Sequence, residues 1–198
     1  MEARRRAAAE RTRDDALLAG LRGEGDGAAD RSFEAIFRLY VESLIRFAAS
    51  YVRDGDVARE IVSDVFLAVW DRRATITAER GLAAYLFGAV RNRAHNAERS
   101  RQRRAKLAEA AAREPEPPGF GSGGDEEHDR AHALLVQRVH AALAQLAPAR
   151  REAMVLRWEH GMTPEQIADV MGLSRTAVYH LLDRARKTLR DLLGPDLR

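Results

Sequence analysis

The chain has 198 residues, of which 33 are basic and 30 acidic, so its net charge is only +3. Hydrophobic residues make up 45% of the sequence, which is enough for packed cores and excludes wholesale disorder. Without cysteine, the chain can form neither a disulfide scaffold nor a cysteine-based metal site. No apolar run approaches the ~18 residues needed to cross a bilayer, so we expect a cytoplasmic protein without membrane insertion.

The N-terminal segment is rich in arginine, with Arg4, Arg5, Arg6, Arg11 and Arg13 among its first residues. Stretches of this kind at a chain end are typically solvated and poorly ordered. We therefore expect residues 1–13 to form a basic arm, frayed or disordered.

Three amphipathic helices are predicted between this arm and residue 106. Apolar residues at three- and four-residue steps predict the first over residues 33–51, capped by Asp30 or Ser32 and ended by residues 54–56. The second runs from about residue 57 to 70, and a polar connection over 71–80 leads to a third that begins at Leu82 and becomes strongly basic beyond Val90. The expected core face of the first helix consists of Phe33, Ile36, Phe37, Tyr40, Val41, Leu44, Phe47, Ala48 and Tyr51.

The composition then changes sharply, because residues 113–128 are dominated by proline, glycine and acidic residues. Such a segment has almost nothing to bury and disfavours regular structure. It predicts a flexible linker between two small helical domains, over residues 14–112 and 129–198.

A helix-turn-helix is predicted in the C-terminal domain. Helices resume near residue 129, another begins at Pro148, and Thr163 with Gln166 forms the signature of a capping box. The short helix that follows reaches Met171, residues 172–174 turn the chain, and a last helix covers residues 175–193. Since no segment has the period of a strand, the predicted fold class is all-α.

The packing of the two helices predicts which face of the last one is free. Ile167, Ala168 and Val170 would pack against Val178, Leu182, Ala185 and Leu189. The face left to solvent or DNA carries Arg175, Thr176, Tyr179, His180, Asp183 and Lys187. Arg175 could address guanine, while Arg184 and Lys187 would meet phosphate. The alternative is an ordinary helical hairpin with a solvated charged face.

A second basic surface is predicted at the end of the third helix. Its cations are Arg91, Arg93, Arg99, Arg101, Arg103, Arg104 and Lys106, against the single acid Glu98. Asn92, His95 and Asn96 are interleaved, and Tyr85 and Phe87 lie upstream. Arginines supply phosphate affinity and aromatic or amide groups can contact unpaired bases, so nucleic acid is the preferred partner. The alternative is a solvated helix end whose cations favour the helix dipole.

Both halves of the chain resemble the sigma-70 family of bacterial sigma factors, in its extracytoplasmic-function (ECF) group. The resemblance to the second conserved domain lies in FEAIFRLY at 33–40, DVAREIVSDVFLAVW at 56–70, AYLF at 84–87 and RNR at 91–93. The resemblance to the fourth lies in ALAQL at 142–146, REAMVLR at 151–157, EQIA at 165–168 and RARKTLR at 184–190.

The resemblance implies a sigma factor that binds core RNA polymerase and directs promoter-specific initiation. The helix 57–70 would dock on the coiled coil of the β′ subunit through Arg59, Glu60, Ser63 and Asp64, and the β subunit is a further expected contact. The connection 71–81 and the basic helix would read and melt the −10 element through Tyr85, Arg91, Asn92, His95, Asn96, Arg99 and Arg101, although Tyr85 could equally be a core residue. The last helix would read the −35 element through Arg175, Thr176, Tyr179 and His180. Partners of the family also include anti-sigma proteins.

Rival functions have less support in the sequence. The runner-up is a helix-turn-helix regulator that binds duplex DNA alone as a dimer, and a third class is an interaction protein that binds no DNA. No motif of an enzyme or of a cofactor site is present, so neither is expected. His128 and His132 lie near three acids, but at the edge of a linker they are expected to be solvated rather than metal ligands.

Overall fold

The structure is a computed structural model that describes residues 2–23, 27–52, 54–79, 81–109, 138 and 141–194. Its helices are α1 (Glu2–Arg22), α2 (Ala28–Ala49), α3 (Gly55–Asp71), α4 (Leu82–Glu109), α5 (Pro148–Trp158), α6 (Pro164–Met171) and α7 (Arg175–Leu193). Residues 141–144 are also helical, and no described residue lies in a strand. The all-α prediction is confirmed.

The N-terminal arm predicted over residues 1–13 is wrong, because α1 begins at Glu2 and continues without a break to Arg22. Alanine and arginine, which dominate its first half, are among the best helix formers. Leu18 and Leu21 near its end are buried, so the helix is also anchored to the rest of the domain. A domain boundary at residue 14 would therefore cut a helix in two.

The helix α2 differs from its prediction at both ends. Neither Asp30 nor Ser32 is the cap: Gly27 occupies that position in a left-handed conformation, with φ of 69°. The helix ends at Ala49, and Asp54 instead caps α3 by accepting hydrogen bonds from the amides of Asp56 at 2.8 Å and Val57 at 3.4 Å. Residues 54–56 therefore mark the start of α3 rather than the end of α2.

The core of the N-terminal domain lies between α2, α3 and α4. Its largest buried side chains include Leu44 and Phe47 of α2 and Leu82 and Leu86 of α4, and the Phe47 and Phe87 rings lie 5.1 Å apart. The apolar residues of α3 at helical spacing are also buried: Ile61, Val62, Val65 and Val69. Each fully buried side chain of this size contributes about 1.5–3 kcal/mol.

Phe37 departs from the predicted core, since 41% of its side chain is exposed. Its ring lies 4.8 Å from that of Phe66, which is buried beneath it. The helical period correctly gave the face on which Phe37 lies but not the edge of the packed area.

The chain divides into two compact units, one built from α1–α4 and the other mainly from α5–α7. The predicted linker over residues 113–128, with His128, lies outside the described residues, as do His132 and most of the helix predicted after residue 129. The helix predicted to end near Gly161 ends at Trp158. Within the described ranges, no helix is long and apolar enough to cross a membrane.

Candidate nucleic-acid interface

The helix-turn-helix is built by two local caps and one apolar seam. The Thr163 hydroxyl accepts from the Gln166 amide at 3.3 Å, and the Gln166 side chain accepts from the Thr163 amide at 2.9 Å, which completes the predicted capping box. Gly172 turns the chain with φ of 66°, and the Ser174 side chain accepts from the Ala177 amide at 3.1 Å. Because both ends are capped, the start of α7 is held firmly at the end of the turn.

The residues predicted to form a seam between α6 and α7 are all buried: Ile167, Ala168, Val170, Val178, Leu182, Ala185 and Leu189. The helix that α7 packs against most closely is α5. This packing fixes the rotation of α7 and therefore decides which of its side chains reach the surface.

The exposed face of α7, which begins with Arg175 in its first turn, contains every residue predicted to remain free of the seam. It carries Arg175, Thr176, Tyr179, His180, Asp183, Arg184 and Lys187. Tyr179 exposes 52% of its side chain, an unusual fraction for a large aromatic residue. Two arginines, a lysine and an exposed aromatic ring on one face are chemically suited to the phosphates and base edges of a DNA groove.

An acidic residue adjoins this face at its N-terminal end. The Arg175 guanidinium contacts the Glu165 carboxylate of α6, with Nη1 3.3 Å from Oε1. A backbone N–H at Glu165, the Thr163 hydroxyl and Arg175 all favour the ionised form, so the pKa of Glu165 lies below its usual value. At neutral pH this carboxylate therefore orients the guanidinium that is predicted to reach guanine.

The basic half of α4 forms a second exposed surface. Its exposed residues are Asn92, Asn96, Arg99, Arg101, Arg103 and Arg104, whereas Tyr85, Arg91, Arg93 and His95 are half-buried. Arg101 donates two hydrogen bonds to Glu98, at 2.8 and 2.9 Å, and this contact raises the pKa of Arg101. Glu98 thereby offsets part of the charge of Arg101, while the arginines on either side stay exposed.

Two residues predicted to contact the −10 element also pack within the domain. The His95 ring lies 5.0 Å from the ring of Tyr51, so part of its surface is committed to a neighbour. Tyr85 is half-buried, which leaves both of its predicted roles, core residue and DNA contact, compatible with the structure.

The outward face of α3 carries the residues predicted to bind polymerase. Arg59, Glu60, Ser63 and Asp64 are all exposed, and Arg59 forms an ion pair with Asp56 at 2.9 Å. Leu67 lies one turn after Asp64 on the same side of the helix and is 61% exposed. The sequence analysis did not single out Leu67, which adds an exposed apolar side chain to the surface predicted to bind polymerase.

The α3–α4 connection joins the end of α3 to the start of α4 and comprises residues 72–81, of which Arg80 lies outside the described residues. The Arg73 guanidinium lies 4.5 Å from the Trp70 ring centroid and donates to the Trp70 carbonyl at 3.0 Å. Arg22 of α1 donates to the Ile76 carbonyl. The sequence analysis missed Arg22, because nothing local indicates a contact made 54 residues further along the chain.

Comparison with protein families matches both domains. The model "Sigma-70 region 2" matches residues 36–104, which contain most of α2 and α4 and all of α3, and "Sigma-70, region 4" matches residues 136–189. CarQ, an RNA polymerase sigma factor of Myxococcus xanthus, is 30% identical over 169 residues, which is 85% of this chain and 92% of CarQ. The chain is a sigma factor of the sigma-70 family. It belongs to the ECF group of that family.

Two further relatives show how far this sigma factor is similar to others. RfaY of Xanthomonas campestris, described as a probable RNA polymerase sigma factor, is 28% identical over 185 residues, and this chain spans only 44% of the length of RfaY. The sigma factor RpoE of Bartonella quintana, solved in complex with the anti-sigma factor NepR, is 25% identical with a TM-score of 0.65. That similarity covers 84% of this chain and 99% of RpoE.

Proposed function

We propose that the two compact units of this sigma factor divide promoter recognition between them. The N-terminal domain, predicted over residues 14–112 and extended by the whole of α1 to Glu2, binds core polymerase and the −10 element. The C-terminal domain, predicted over residues 129–198, binds the −35 element. Two separate basic surfaces, on α4 and on α7, carry this proposal, since one DNA site would need only one of them.

The α4 surface is suited to single-stranded DNA. Asn92 and Asn96 offer amide groups, and the exposed arginines nearby offer phosphate contacts. Unpaired bases expose their Watson–Crick edges to such side chains, whereas in duplex DNA those edges are occupied by base pairing. We therefore assign the melted −10 element to α4 and duplex DNA to the helix-turn-helix.

The α3 surface is assigned to the coiled coil of the β′ subunit. This surface combines polar and charged side chains with the exposed apolar side chain of Leu67. Protein interfaces typically combine apolar and polar contacts in this way. The sigma factor acts in the cytoplasm and contributes no catalytic group of its own. Core polymerase catalyses the synthesis of RNA. An anti-sigma partner, of the kind that NepR is to RpoE, would compete for surfaces on either domain.

The test compares promoter binding by the full chain with and without core RNA polymerase. A sigma factor should form a specific, salt-dependent complex on promoter DNA only when core enzyme is present. Start-site-specific transcription should then follow when nucleotides are added. Tight binding to a promoter by the chain alone, with no effect of core enzyme, would instead support a stand-alone regulator.

A further inference from the structure

Arg22, the last residue of α1, fastens the α3–α4 connection to the N-terminal helix. Its Nε and Nη2 groups both donate to the carbonyl oxygen of Ile76, at 3.0 and 2.6 Å. Ile76 is also held by its own amide, which donates to the Arg72 carbonyl at 2.9 Å, and by its side chain, which is buried. The connection is therefore anchored at Ile76 through its amide, carbonyl and side chain together.

Beyond Ile76 the connection stands away from α1. A groove of about 380 Å³ is lined by Asp15, Leu18 and Arg22 on one side and by residues 77–79 on the other. Thr77 and Glu79 are exposed. Because the groove replaces close packing here, the position of residues 77–79 depends on the anchor that precedes them.

The chemistry of this anchor requires arginine. A guanidinium is planar and presents two parallel N–H groups, so it can fix the direction of one carbonyl, which the rotating ammonium of lysine cannot do as well. Arg22 also lies at the C-terminal end of α1, where a positive charge is favoured by the helix dipole. Arg22 thus also stabilises the end of α1.

We propose that Arg22 is a positioning residue for recognition of the −10 element. The proposal rests on the assignment of the α3–α4 connection to that element. Holding the Ile76 carbonyl preorders residues 77–79, so that less conformational freedom is lost when they meet an unpaired base. A loosened connection would bind right and wrong bases more equally.

The test uses reconstituted holoenzyme and a set of promoters that differ only in the −10 element. The variants are Arg22→Met, which keeps an unbranched apolar side chain without donors, and Arg22→Lys, which keeps the charge. The control is Arg38→Met, which removes an exposed α2 arginine whose contact is Glu34, one turn away at 2.6 Å.

For Arg22→Met we expect the ratio of transcription between the best and the substituted −10 elements to fall about tenfold, the loss expected for one hydrogen bond of about 1.4 kcal/mol. Arg22→Lys should fall between Arg22→Met and the unaltered protein, and Arg38→Met should match the unaltered protein. Core binding and −35 preference should not change. The amides of residues 77–79 should exchange hydrogen faster in Arg22→Met.

An equal loss on every −10 variant, with discrimination intact, would show that Arg22 only stabilises the domain and would overturn the proposal. If Arg22→Met does not fold, Arg22→Lys carries the same comparison. Thr77→Ala and Glu79→Ala test the role of the connection separately from the role of Arg22. If they alter −10 discrimination while the Arg22 variants do not, only the role of Arg22 fails. If they leave discrimination unchanged, the connection does not read the element, and both assignments fail.

Discussion

At the scale of single residues, Arg175 links the geometry of the helix-turn-helix to promoter choice. It is exposed in the first turn of α7, one turn before the buried Val178, and its guanidinium contacts the Glu165 carboxylate of α6. A bidentate contact between an arginine and guanine contributes about 1–3 kcal/mol of discrimination against other bases. Lys187 lies three turns further along the same face, where a phosphate contact would add affinity but little sequence information.

Substitutions of these two residues should therefore have different effects on transcription. Arg175→Ala should relax the preference at one −35 base pair, whereas Lys187→Ala should weaken all −35 variants about equally and lower the salt dependence of binding. The measurement is transcription by holoenzyme from a library of −35 variants. If Arg175→Ala depresses every variant by one common factor, Arg175 contacts the DNA backbone and the reading face is wrongly assigned.

A second residue-scale feature joins α1 to α2. Asp14 is buried, and it accepts hydrogen bonds from the Tyr40 hydroxyl at 3.0 and 3.2 Å and from Arg13 at 3.1 Å. Burial, followed by the nearby Asp14 charge, raises the pKa of Tyr40 well above its ordinary value of 10.0. The folded protein therefore keeps this phenol neutral at a pH where the unfolded chain would lose its proton.

Two results are expected for Tyr40→Phe. At pH 7 the variant should lose about 1–3 kcal/mol of unfolding free energy, because the buried carboxylate loses a donor. Because the pKa of Tyr40 is raised on folding, its contribution to the unfolding free energy is complete below pH 10 and is lost as the pH rises further. By pH 11 the unaltered protein should therefore lose about 1.4 kcal/mol more unfolding free energy than the variant. Urea unfolding at both pH values measures this, and the other tyrosines cancel because both proteins carry them. Parallel curves for the two proteins would contradict the account.

At the scale of elements, the sequence predicted best those helices whose ends are fixed by local chemistry. The helix α7 has the predicted bounds, and α6 has the predicted capping box, because Thr163, Gln166, Gly172 and Ser174 act on neighbours within a few residues. The helix α1 was missed because its anchors are tertiary: Leu18 and Leu21 are buried by other helices, and Arg22 meets a carbonyl of the α3–α4 connection. No local pattern reports a contact of that kind.

The same reasoning applies to the candidate surfaces. Helical periodicity correctly predicted that the polar side of α3 and the residues of α7 assigned to DNA are exposed, since buried apolar residues fix the rotation of each helix. It could not show that His95 packs on Tyr51, or that Glu98 holds Arg101. Those facts depend on distances between side chains rather than on their order in the chain.

The element-scale prediction concerns the outward face of α3. Asp64 is exposed in the middle of α3, and the Asp54 carboxylate that caps this helix lies at its N-terminal end, so Asp64→Arg should leave helical content unchanged. If the face docks on the β′ coiled coil, reversing this charge should weaken core-polymerase binding at least tenfold, or about 1.4 kcal/mol. Glu34→Arg on α2 is the matched control, because it reverses an exposed charge elsewhere in the same domain. Equal affinity of the Asp64 variant and the unaltered protein for core enzyme would refute the docking surface.

At the scale of the whole molecule, the two compact units each have a core of their own. Leu44, Phe47 and Leu86 are buried in the first, and Leu156, Val178 and Leu182 in the second. Independent cores let each promoter element be bound by a unit that is already folded. They also let the two units differ in stability, because each unit loses only the contacts of its own core when it unfolds.

The prediction that follows is selective destabilisation. Leu182→Ala should cost about 2–5 kcal/mol through lost burial and a cavity in the core of the C-terminal domain. In native hydrogen exchange, the amides of α5 and α7 should lose protection, while those of α2 and α3 should keep theirs. The reciprocal variant, Leu44→Ala, should give the opposite pattern. If either substitution speeds exchange equally in all of these helices, the chain unfolds as one cooperative unit, and promoter recognition by two separately folded domains cannot be maintained.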